Sequence, residues 1–99
     1  MSIDNYDDRA RDAASVLQSP VFAEAFARLD ADLVTRWRVA STPAEREDIF
    51  HRQHALRAVR DELLEHINAA AAADARQGKQ SPWRGLWEKL RNQRNIGNS

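Results

Sequence analysis

Glu47, His51 and His54 are the residues whose types and spacing come nearest to chemistry. At i, i+4 and i+7 they share one side of a predicted helix, where a carboxylate and two imidazoles can share a metal ion. Catalytic metal helices, however, set two histidines four residues apart beside a general base and draw a further ligand from elsewhere. His51 and His54 are three apart, and no acid outside their helix is obviously placed to join them. They read as surface or core-edge histidines. His66 follows Glu62 by four residues and adjoins Ile67. A histidine there can lean on a helix edge, although its reference pKa near neutrality is what a pH sensor would use. No nucleophile elbow, phosphate loop, dinucleotide fingerprint or zinc-finger spacing occurs. Three glycines leave no loop to cradle a phosphate, and the absence of cysteine removes disulfides and thiolate chemistry. The expectation is a protein without catalytic residues, metal or cofactor.

A different kind of chemistry, recognition, is written into the C-terminal segment. Trp83, Leu86, Trp87 and Leu90 recur at i, i+3, i+4 and i+7, and Arg84, Lys89, Arg91 and Arg94 occupy the remaining faces. This is a basic amphipathic helix. Such a segment can fold back on its own protein, dock into a groove on another protein through its two tryptophans, follow a nucleic-acid backbone, or lie on an anionic membrane. Docking on a partner protein through the apolar stripe is the leading expectation. Phosphate contact through the four bases is its rival from another functional class.

The elements that must position these residues are punctuated by Ser19-Pro20, Thr42-Pro43 and Ser81-Pro82, each a helix N-cap followed by a first-turn proline. Thr42-Pro43-Ala44-Glu45 is in addition a capping box. A first helix runs from about Asp4 to Gln18, opened by Asp4, Asp7 and Asp8 and carrying a weak apolar face of Tyr6, Ala10, Ala13 and Leu17. From Pro20, Phe22, Phe26, Leu29, Leu33 and Trp37 form one helical stripe ending near Ala40. From Pro43, Ile49, Leu56, Leu63 and Ala70 recur at seven-residue steps as in a coiled coil, flanked by Phe50, Val59 and Ile67, with no breaker before Gly78. Ala69 to Ala73 reads as a thin end with little to bury, where a slim face permits close packing.

The predicted fold is therefore all-α. It is a long antiparallel helical hairpin over residues 1–76 with its first arm kinked or broken at Pro20, a linker over 77–81, and a tail helix within 82–99. The hairpin interface is expected at Phe22, Phe26, Leu29, Leu33, Trp37, Ile49, Leu56, Leu63 and Ile67. A lone extended hairpin of this size encloses few large side chains against the entropy of ordering its backbone, so self-association is expected as well.

Formal charge balances to zero over the chain but not along it. Residues 1–32 carry seven acids and three bases, residues 33–73 six of each, and residues 74–99 two acids and six bases. Oppositely charged ends suit association of copies, and equally a basic tail reaching an acidic partner. The acidic N-terminus lacks the apolar core of a signal peptide, and no apolar run is long enough for a membrane span, so the expected compartment is cytoplasmic.

The stretch Ala13-Ala14-Ser15-Val16-Leu17-Gln18-Ser19-Pro20-Val21-Phe22-Ala23-Glu24-Ala25-Phe26, followed by Trp37, Thr42-Pro43-Ala44-Glu45-Arg46-Glu47 and the Leu56 to Ile67 stripe, resembles small helical proteins encoded among the head and tail genes of tailed phages and prophages. The resemblance spans Ala13 to Ala70, a little over half the chain, and leaves the tryptophan tail outside it. It implies a virion or assembly factor that touches portal, packaging or capsid proteins in a bacterial host cell or virion. It carries over no catalytic residues.

Overall fold

The computed structural model describes residues 5–93, which form four helices and no strand. They are α1 (Asn5–Leu17), α2 (Pro20–Val39), α3 (Pro43–Arg76) and α4 (Pro82–Gln93). Asp4 lies outside the described residues.

Local chemistry fixes each boundary. Proline has no N–H and drives the residue before it out of the helical region. Ser19 accordingly sits at φ −71°, ψ 125°, and its hydroxyl accepts from the Phe22 amide at 3.4 Å. Thr42, at φ −126°, ψ 152°, accepts from the Glu45 amide at 3.1 Å, while the Glu45 carboxylate accepts from the Thr42 amide at 3.1 Å and the Ser41 amide at 3.0 Å. Those bonds favour the charged carboxylate, the Ser41 amide most, and hold Glu45 below its ordinary pKa of 4.5. At the other end of α3, Gly78 adopts φ 73°, a left-handed conformation that glycine enters without penalty. There the Lys79 amide donates to Asp74 O at 2.9 Å and the Gly78 amide to Ala75 O at 3.0 Å, the paired bonds of a Schellman cap. The cap turns the chain back, and Ser81 Oγ accepts from the Trp83 amide at 3.1 Å at the start of α4.

The 34 residues of α3 form the spine. At about 1.5 Å per residue it spans about 50 Å, nearly the full 54 Å length of a body only 24 by 21 Å in section. The Cα radius of gyration is 16.5 Å, against about 13 Å for a compact domain of this size. Helices α1 and α4 pack on the C-terminal half of α3, and α2 packs on its N-terminal half. One end is thus three helices thick, and the other is a two-helix arm.

The core lies at the thick end. Ala10, Ala13, Ala14 and Leu17 of α1 meet Leu64, Ile67 and Ala70 of α3 and Leu90 of α4, with Phe22, Leu63, Trp83, Leu86 and Trp87 packed around them. The Ala69–Ala73 segment, expected to be thin and to bury little, instead contributes the fully buried Ala70 to this core, and Ala71 and Ala73 are buried as well. Alanine faces on both α1 and α3 let two helices approach closely, so small side chains there exclude water as fully as large ones would farther apart. Tyr6, expected on the inner face of α1, is exposed.

The arm is different. Of the α2 stripe, Leu33 is buried and Phe22 and Phe26 are half-buried, their rings 5.9 Å apart. Opposite them, Ile49 is buried and Leu56 and Leu63 half-buried, whereas Ile67, expected in this interface, is buried in the thick-end core with α1 and α4. Leu29 and Trp37, expected in the interface, stand 53% and 41% exposed. The stripe accumulates about 60° of drift between Phe22 and Trp37 at about 100° per residue, so it cannot face one straight partner throughout. No third helix covers Leu29 from its open side. Cross-arm contacts are correspondingly sparse, with Asp30 Oδ1 3.9 Å from Arg57 Nη2 and the Arg46 guanidinium 5.8 Å from the Trp37 ring.

Candidate functional site

Two surfaces compete for a functional role, the C-terminal helix and the open side of the arm. The apolar stripe of α4 packs on its own protein. Leu90 is 2% exposed in the core, and Trp83, Leu86 and Trp87 are half-buried against it. Trp83 Nε1 donates to Asp7 Oδ1 of α1 at 3.0 Å, and Arg60 Nη2 of α3 donates to the Leu90 carbonyl at 2.7 Å. The second bond puts a guanidinium on the negative end of the α4 dipole. The fold-back alternative is thus the arrangement the chain adopts, and α4 shares its core with α1 and α3 rather than standing apart beyond a linker.

The basic face of α4 is what remains outward. Arg84, Lys89 and Arg91 are exposed, and the Arg91 guanidinium sits 4.5 Å from the centroid of the Trp87 ring, a cation–π contact. Arg94 lies outside the described residues. The positive potential of this face is opposed at the start of α4 by α1, whose Asp7 touches Trp83 and whose Asp8 is an exposed acid paired with Arg11 at 3.1 Å.

The histidines stay on the surface. Glu47 Oε2 is 3.9 Å from His51 Nε2, and the Phe50 ring lies between neighbours, edge-on to His51 at 5.7 Å and stacked with His54 at 6.2 Å. His66 Nε2 is 4.0 Å from Glu62. Among the described residues no group of three His, Cys, Asp or Glu side chains is placed to hold a metal ion.

The open side of the arm was not singled out by sequence reasoning. Between α2 and α3 lies a shallow recess of about 420 Å³ floored by Leu29, Leu33, Leu56 and Val59, with Ala55 beside them. Its rim carries Asp32, Arg36 and Arg52. Arg36 Nε pairs with Asp32 at 2.9 Å, and Arg52 Nε with Asp48 at 2.9 Å. Leu29 and Val59 are each more than half exposed. A second recess, lined by His54, Arg57, Ala58, Asp61, Glu62 and Glu65, is polar. Val59 at the flank of the α3 stripe was the available signal for the apolar recess, whereas Leu29 sits mid-stripe on α2 and gave none.

No family model, curated protein or solved structure matches this chain. The likeness to small phage proteins rests on the sequence pattern alone, and the functional argument rests on the surfaces. None of the described helices is long and apolar enough to cross a membrane.

Proposed function

We propose that this protein is a non-catalytic interaction and assembly module, whose thick end is a self-contained anchor and whose α2–α3 arm is the association surface. One observation carries the reading. The thick end closes Leu17, Leu64, Ile67 and Leu90 into one core, whereas Leu29 and Val59 stand more than half exposed over an apolar recess at the other end. Contiguous exposed apolar surface on a small protein marks a contact site more often than isolated apolar residues do. The resemblance to phage head and tail proteins accords with an assembly role.

The rival reading, a nucleic-acid-binding or packaging accessory, draws on exposed Arg84, Lys89 and Arg91. It predicts binding that weakens steeply with salt as counterions are released. Asp7 beside Trp83 and the Arg91 contact to Trp87 both weaken it.

A photo-activated cross-linking residue placed at position 29 or at position 89, in cells that make the protein, separates the two. Protein adducts from position 29 with few from position 89 support the arm. Nucleic-acid adducts from position 89, with none from position 29, would replace this reading with its rival.

A further inference from the structure

We infer that the open side of the arm seats a second copy of this chain, two α2–α3 arms closing face to face into a four-helix bundle. The inference rests on the reading of the arm as an association surface and names its occupant. Three observations select a second copy.

The first is architectural. Two packed helices enclose a single seam, and among the described residues of the arm Leu33 and Ile49 are the buried large side chains, at 8% and 7% exposure. Helical layers become stable by covering that seam with a further layer, and two hairpins do so as a four-helix bundle.

Charge is the second. Arg36 and Arg52 on the rim are each already held by an acid on their own helix, at 2.9 Å. The rim therefore brings no net charge to the contact. A neutral face meets its own copy without like-charge repulsion, as the self-complementary patch of a two-fold dimer must. An acidic partner or a phosphate backbone would find no unmatched cation there.

Size and sidedness give the third. A two-helix face about 30 Å long and about 20 Å wide offers roughly 600 Å² per copy. Doubled, that reaches about 1,200 Å², the lower bound of specific interfaces. Outside the recess Phe50 contacts His51 and His54, and Trp37 lies near Arg46, although both rings stay exposed. Pairing the recess face with its own copy about a two-fold axis uses that face up, so association through it closes at two copies.

Light scattering on the full-length chain, from low to high micromolar concentration, is the test. The expected result is a mass approaching twice 11.3 kDa, falling to that of one chain in the Leu29→Glu, Val59→Glu double variant with its helical circular dichroism retained. Phe50→Glu, outside the recess, should leave the dimer intact. The photo-activated residue at position 29 supplies a second measurement on an otherwise unaltered chain, with adducts expected between α2 or α3 of two copies. A chain that is monomeric throughout, a larger oligomer, or a dimer indifferent to the double variant overturns the inference. A monomer that still cross-links from position 29 to a different protein would overturn the dimer while leaving the association surface standing. A monomer without adducts would overturn both.

Discussion

The two ends of α3 face opposite problems with the same kind of helix. At the C-terminal end the available side chains are small, and closure comes from proximity: Ala10, Ala13 and Ala14 against Ala70 and Ile67, with Leu90 as a lid. At the N-terminal end the side chains are large, yet Leu29, Phe50 and Val59 stay more than half exposed because only two helices, α2 and α3, meet there. Burial is set by how many elements converge on a segment, not by how greasy the segment is. Alanine is enough where three helices meet, whereas between two only the side chains on the central seam, Leu33 and Ile49, are closed off.

The largest expected effect follows from removing the third helix. A chain ending at Gln77 loses Trp83, Leu86, Trp87 and Leu90 from the core, and its cooperative thermal transition by circular dichroism should disappear. Next, Ile67→Ala, at a fully buried site, should cost about 2 to 5 kcal/mol in urea denaturation. Ala70→Leu should cost roughly 1 to 3 kcal/mol by overfilling a close helix contact, an outcome specific to an alanine-packed core. A neutral result there would sink the claim that the alanine face is tightly closed. Thr42→Ala, which removes an N-cap in the arm, should cost about 1 kcal/mol. Val59→Ala, measured where the chain is a single copy, should change stability by less than about 0.5 kcal/mol, as exposed substitutions do. Hydrogen exchange should order the two ends in the same way, with arm amides opening before those of the thick end.

The arm also carries a cap that responds to acid. Because Glu45 has a folded-state pKa below its ordinary 4.5, its capping stabilises α3 at neutral pH and is lost as pH falls through the carboxylate range. Helical signal at the start of α3 should fray on acidification, whereas Glu45→Gln, which still caps but cannot titrate there, should remove that pH dependence without abolishing the cap.

Helix boundaries were legible because they are decided within a few residues. Ser19-Pro20, Thr42-Pro43, Ser81-Pro82 and Gly78 each impose a cap or a break through their own backbone chemistry. The destination of the α4 stripe was not legible, since a helix that docks on its own protein and one that docks on another present the same i, i+3, i+4, i+7 pattern. What decides between them is contact such as Trp83 to Asp7, separated by 76 positions, and no local spacing encodes it. The alanine core escaped for a related reason. Ala10, Ala13, Ala14 and Leu17 do carry helical spacing, but alanine also reads as a simple helix former, so its role depends on what approaches it. Conversely, the stripe containing Leu29 and Trp37 promised more burial than a single partner helix can give.

The bond from Arg60 to the Leu90 carbonyl has a consequence for the order in which the fold comes into being. Leu90 closes a core whose other walls are laid down between Ala10 and Ala70. During synthesis those walls exist for the time it takes to add the intervening residues before anything can seal them. A chain interrupted before Leu90 lacks the residue that closes this core, so its alanine seam should be cut by a protease sooner than that of the full-length chain.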